Sequence, residues 1–140
     1  MAISQAMCTS FKVELLQGTH NFTATSGNSF KLALYTSSAT LNKSTTAYSA
    51  TNEITNASGS AYTAGGKALT NITPSLDGST ACADFEDVSF TSASFTANGC
   101  LIFNDSATGD PAVCAVAFGS DKTVSSGTFT IQFPAADASN

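Results

Sequence analysis

The sequence predicts a mainly β protein, an antiparallel β-sandwich or jelly-roll-like barrel with one N-terminal α-helix. Three observations predict it. After residue 67, short apolar runs bounded by Gly, Asn and Asp recur about every ten residues, the rhythm of antiparallel sheets. Forty Ser and Thr supply polar surface where charge makes up only 11% of the chain, and β-branched Thr suits a pleated strand. A helix-like period occurs once, close to the N-terminus. The 140 residues read as one domain, large enough to bury about two-thirds of its unfolded surface.

Residues 1–18 form the predicted helix or arm. Ile3, Met7, Phe11 and Leu15 lie four apart, and Ala6 and Leu16 widen the stripe into one buried helical face. Lys12 and Glu14 fall off it, and Gly18 stands where a C-terminal cap needs a left-handed residue. Such a helix either caps the open end of a β core or packs as an arm on a neighbouring subunit. The β domain then spans residues 28–140. A turn at Ser26-Gly27-Asn28-Ser29 leads into a strand, Phe30–Tyr35, with Phe30, Leu32 and Leu34 on one face.

Residues 36–66 carry few large apolar anchors, chiefly Leu41, Tyr48, Ile54 and Tyr62. They read as a long polar loop with one short strand near Glu53 and Ile54. Unstructured loops of this length inside a domain usually have a role. The tip, Tyr62-Thr-Ala-Gly65-Gly66, reads as its flexible point and as a contact with neighbours. Further strands are expected at residues 68–73, 80–85, 88–90, 95–103, 112–118 and 128–133. Loops are expected at residues 104–110 and 119–127. Ten Phe and no Trp would fill the core.

Composition excludes several function classes. The net charge is −5, and five scattered Lys (12, 31, 43, 67 and 122) with no Arg cannot form the clustered cations that displace counterions from phosphates. No apolar run reaches the roughly 18 residues of a membrane span. The N-terminus lacks the basic and apolar regions of a signal peptide, so a soluble product made in the cytoplasm is expected. Cys8, Cys82, Cys100 and Cys114 show no zinc-like spacing beside a single histidine. They read as buried thiols, with a disulfide among the last three left open.

The candidate chemistry is sparse. His20 has no nucleophile elbow to serve and reads as part of the turn after the helix. Asp84, Glu86 and Asp87 form the densest acidic group, either a solvated strand end or a carboxylate pair for Ca²⁺ or acid–base work. The loop at residues 104–110 is acidic but lacks EF-hand spacing. No catalytic residue, cofactor or metal site is predicted.

Three strings carry a family likeness: Met1-Ala-Ile-Ser-Gln-Ala-Met-Cys-Thr-Ser-Phe11, Glu14-Leu-Leu-Gln-Gly-Thr-His-Asn-Phe22 and Phe30-Lys-Leu-Ala-Leu-Tyr35. It continues through Ala47-Tyr48-Ser-Ala-Thr-Asn-Glu53 and Tyr62-Thr-Ala-Gly-Gly66 to the closing Gly127-Thr-Phe-Thr-Ile-Gln-Phe-Pro-Ala-Ala-Asp137. Over essentially the whole chain the sequence resembles small virion structural proteins of tailed bacteriophages, especially marine and cyanobacterial ones. Such proteins look to carry Arg near position 98, where this chain has Asn98-Gly99-Cys100. They also look to continue into one more apolar strand, which is here expected to be either missing or supplied by a neighbour.

The resemblance implies a non-enzymatic particle component, first of all a capsid decoration or cement protein in the virion. Its expected partners are the major capsid protein or tail proteins and further copies of itself, as a homo-oligomer with a trimer favoured. The alternatives are a tail-associated fibre, adaptor or tube-linked protein, and a carbohydrate-binding receptor module using the Asp84 group. Candidate assembly contacts are Ile3, Met7, Phe11, Leu15, Tyr48 and Tyr62.

Overall fold

A computed structural model describes residues 2–55 and 59–140. In chain order the elements are β1 (Ala6–Met7), α1 (Thr9–Leu16), β2 (Phe30–Tyr35), β3 (Lys67–Ala68), β4 (Asn71–Asp77), β5 (Thr80–Phe85), β6 (Val88–Asn104) and β7 (Ala112–Ile131). They make two antiparallel sheets, a five-stranded one in the order β1-β7-β6-β2-β3 and a two-stranded hairpin, β4-β5. The architecture is mainly β and sandwich-like, with one short helix; it is not a closed barrel. Among the described residues no helix is long and apolar enough to cross a membrane.

Strand β2 lies between β6 and β3 in the large sheet. It pairs with β6 over its full length, from Phe30 opposite Asn104 to Tyr35 opposite Gly99. Five of its six side chains are buried, because sheet neighbours flank it and other layers cover both faces. The sixth, Lys31, lies at the margin, where its Nζ meets Asp105 Oδ2 at 3.1 Å. Phe30, Leu32, Leu34, Leu101 and Phe103 are among the largest fully buried side chains.

The predicted loop at residues 119–127 is instead strand. β6 and β7 run antiparallel as a long ribbon from Phe103 opposite Ala112 to Val88 opposite Ile131. Its register shifts several times, between Phe90 and Ala93, Ala93 and Phe95, and Ala97 and Gly99. Ser92, Gly119 and Ser126 have positive φ in these interruptions. The Gly and Ser that suggested a loop are absorbed as bulges, which bend and twist a strand without ending it.

The helix is also shorter than the predicted 1–18. Ser4 N–H donates to Leu41 O, Leu41 N–H donates back to Ala2 O, and Ile3 bridges Leu41 in parallel. Ala6 and Met7 then pair with Ala115 and Cys114 of β7. The chain turns helical only after Cys8, whose extended backbone (φ −66°, ψ 139°) marks the N-cap. The helix end does follow the sequence. Gly18 has φ +74°, and Thr19 N–H and Gly18 N–H donate to Glu14 O and Leu15 O at 3.0 and 3.2 Å. That is a Schellman closure, and it needs a left-handed residue at position 18.

Residues 36–66 contain no strand among those described, though residues 56–58 of this stretch lie outside them. The short strand expected near Glu53 is a single bridge to Tyr35, with Ile54 N–H donating to Leu34 O at 2.9 Å. The expected flexible tip is anchored at its two ends, while Thr63 and Ala64 between them are exposed. Tyr62 is buried, and a Cβ added at Gly66 (φ +86°) would sit 2.6 Å from Leu32 O. Glycine is required there because the loop backbone lies directly against β2.

Candidate functional site

The two layers of the sandwich are unequal, since two strands stand opposite five. A hairpin that narrow cannot cover the facing sheet, and an apolar groove of about 600 Å³ remains between them. Ile102, Cys114 and Val116 line its floor on β6 and β7. Met7, Phe11 and Leu15 form one wall, and Pro74, Cys82 and Asp84 of the hairpin stand on the other. Phe133 and Pro134 of the C-terminal segment also line it.

The groove is bounded by aromatic packing. Phe22 stacks on Phe30 with ring centroids 4.4 Å apart, and Phe85 meets Phe30 edge-on at 5.5 Å. Phe133 lies 5.9 Å from Phe85. These contacts tie the base of the hairpin to the large sheet through Phe85. Polar contacts support the same joint: Asn71 Nδ2 donates to Thr23 O and Asn28 O, and Ala24 N–H donates to Thr73 Oγ1. Beyond the base the hairpin is exposed along nearly all its length.

Helix α1 forms the opposite rim, and only Phe11 of its eight residues is buried. Val13 is 55% exposed, Leu15 42% and Leu16 91%. Within the helix, the amphipathic stripe read from the sequence thus has one anchor, Phe11, with Leu15 and Leu16 in solvent.

His20 fixes that anchor from behind. Asn104 Oδ1 accepts from Ser106 N–H and Ala107 N–H, which turns its amide nitrogen toward His20 Nδ1 at 3.1 Å. Nδ1 is therefore an acceptor, and Nε2–H donates to Glu14 Oε2 at 2.7 Å. The ring lies 4.9 Å from Phe11 and 6.2 Å from Phe30. With both nitrogens engaged, His20 holds α1 to the end of β6 and is not poised beside a nucleophile.

The six predicted contact residues do not form one surface. Met7 and Leu15 are exposed on the groove rim, and Phe11 is buried in its wall. Ile3 and Tyr48 are half-buried against the core. Tyr62 is a core residue, its hydroxyl accepting from Leu34 N–H at 3.0 Å.

Tyr48 and Tyr62 both serve Glu53, which the sequence reading left without a site role. Tyr48 OH donates to Oε2 at 2.6 Å, Tyr62 OH to Oε1 at 2.5 Å, and Gly65 N–H to Oε1 at 2.8 Å. Burial, then the Glu53 contact, pushes the Tyr48 phenol up to about 12 and raises that of Tyr62. The signal was present in the sequence: Glu53 is the sole charge between Lys43 and Lys67, with a Tyr on either side.

The acidic trio is partly committed to the backbone. Asp84 Oδ1 accepts from Phe85 N–H at 2.8 Å, and Asp87 Oδ1 from Phe133 N–H at 2.9 Å. Among the described residues no three His, Cys, Asp or Glu form a group able to hold a metal ion. The cysteines are free. Burial raises the Cys8 and Cys100 thiols and pushes Cys114 up to about 12, which suits small core hydrophobes better than nucleophiles. At position 98, Asn98 Nδ2 donates to Asp121 Oδ1 at 2.8 Å.

Comparisons with protein-family models, curated proteins and solved structures return no match.

Proposed function

We propose that this protein is a non-enzymatic structural subunit of a bacteriophage particle, serving as a capsid decoration or cement protein. The observation that carries the reading is the unequal sandwich. A five-stranded sheet with a packed core faces a two-stranded hairpin, and the apolar groove between them opens beside a helix with exposed aliphatics. A contiguous apolar surface of this kind marks an interaction site. The whole-chain resemblance to phage virion proteins supplies the particle as the place where that site is used. A subunit bound only to the assembled shell stabilises it by mass action.

The test is quantitative densitometry of purified particles. A decoration role gives on the order of hundreds of copies per particle, as shell symmetry multiplies the binding sites. A count in the low tens would move the protein to the tail, and absence from washed particles would overturn the proposal. Asp84 and Asp87 each hold a backbone N–H, so no observation favours the carbohydrate-binding alternative.

A further inference from the structure

We infer that the groove is closed by a second copy of the same chain, with α1 of each copy laid across the groove of the other. This deepens the assembly role proposed above by naming the surface and its occupant. Three observations lead to it.

The first is area. The accessible surface is 7360 Å² for a 14.2 kDa chain, where a monomer of this mass is expected to expose about 6,800 Å². The surplus, on the order of 600 Å², means that the fold leaves more surface uncovered than a monomer of its mass usually does.

The second is placement. The projecting side chains and the groove that would receive them are neighbours on one face. Met7 and Leu15 line the groove, and Leu16, the most exposed large apolar residue, is the next residue of the same helix. A knob beside a hole is self-complementary under a two-fold axis, since each copy then gives and receives the same contact. That arrangement favours an isologous pair over the trimer expected from the resemblance.

The third is charge. Lys12 lies exposed on α1, and Glu14 on the same helix is engaged by His20. Across the groove stand Asp84 and, two residues on, the exposed Glu86. Within the described residues Lys31 and Asp105 form an ion pair and His20 hydrogen-bonds Glu14, and neither Lys12 nor Glu86 has a partner of opposite charge. A two-fold exchange of rims brings Lys12 of one copy toward Asp84 of the other, an opposite-charge pairing that registers the two chains.

Sedimentation velocity of the purified full chain tests this without any particle present. The expected result is twice the 14.2 kDa chain mass at about 50 μM, given a dissociation constant in the micromolar range. Leu16→Asp should weaken association at least about tenfold while leaving the circular dichroism spectrum unchanged, because Leu16 supports nothing within the fold. Lys12→Glu should weaken it less, with the deficit shrinking in high salt. A short bismaleimide should join a Leu16→Cys variant to Cys82 of a second copy, and the product should vanish when Cys82→Ser is added.

A monomer at that concentration overturns the inference. So does a dimer indifferent to Leu16→Asp, or a cross-link that survives loss of Cys82. A monomeric chain still found abundantly on particles would sink this inference and leave the decoration reading intact. A dimer absent from particles would do the reverse.

Discussion

The two sides of the sheet meet their polar and apolar requirements in opposite ways. On the side of residues 36–66, an irregular chain segment is held by internal partners. Glu53 gathers two tyrosine hydroxyls and a backbone N–H, Tyr35 OH donates to Ser49 O at 2.7 Å, and Tyr48 stacks on Phe103 at 4.6 Å. On the hairpin side, regular elements are left half-covered. β4 and β5 have full strand geometry but exposed side chains, and α1 keeps one of eight residues buried. On that side regular secondary structure is therefore not matched by burial. The looser-looking segment is the more tightly satisfied, and the regular hairpin is the one that lacks cover, as a two-stranded sheet does in water.

Substitutions should separate the two sides, and the largest effect should fall on the core ring at the base of the hairpin. Phe30→Ala removes a fully buried ring that contacts Phe22, Phe85 and His20, and should cost about 3–5 kcal/mol in urea denaturation. Glu53→Gln comes next. It keeps the shape but replaces one acceptor oxygen with a donor, so a buried tyrosine hydroxyl loses its acceptor. The expected loss is about 2 kcal/mol, with faster proteolysis within residues 36–66 and no change in the hairpin. If the hairpin is cleaved as readily as the loop, the two sides are not independent.

Alkali should act on the closed side as well. On that side half-buried Tyr48 has its ionisation pushed up to about 12, from an ordinary 10.0, and Tyr35 and Tyr62 are raised; outside it, Cys114 in the groove is pushed up to about 12 from 9.0, and Cys8 and Cys100 are raised. The folded chain thus holds protons that the unfolded chain has released. Their contribution is intact below pH 9 and is lost as pH climbs from 9 toward 12, because stability falls with pH wherever the native state binds more protons. The urea midpoint should drop across that window, and a midpoint flat to pH 11 would contradict the buried network. The smallest effect belongs to the open side. Leu76, 72% exposed on the hairpin, should tolerate Leu76→Ser within about 0.5 kcal/mol.

The sequence made the β architecture legible because its alternation and turn residues act locally. The strand at residues 30–35 and the cap at Gly18 were read correctly for that reason. The helix was over-extended because a spacing of four is ambiguous. Ile3 and Met7 share a face in a helix, but an even spacing also puts them on one face of a strand, and bridging to Leu41 and pairing with β7 decide for extended chain. The Gly119 region was misread because a bulge and a loop use the same residues. The Glu53 hub and the groove depend on residues distant in sequence. Tyr62 OH reaches Leu34 N–H across 28 positions, and no local pattern shows how many strands will stand opposite a sheet.

The pairing of β2 with β6 has a consequence for synthesis. Phe30 lies opposite Asn104 and Tyr35 opposite Gly99, so β2 waits for more than sixty residues of chain before its main partner exists. Loop closure on that scale precedes the contacts that reward it, which makes such pairings slow. During translation at roughly 5–20 residues per second, β2 would spend several seconds exposed after it leaves the ribosome. Its run Phe30-Lys31-Leu32-Ala33-Leu34-Tyr35 carries a single charge, and Lys31 is then the one residue set against premature pairing with another nascent chain. Yield of soluble protein, more than stability of the finished fold, is where a neutral residue at position 31 would be felt.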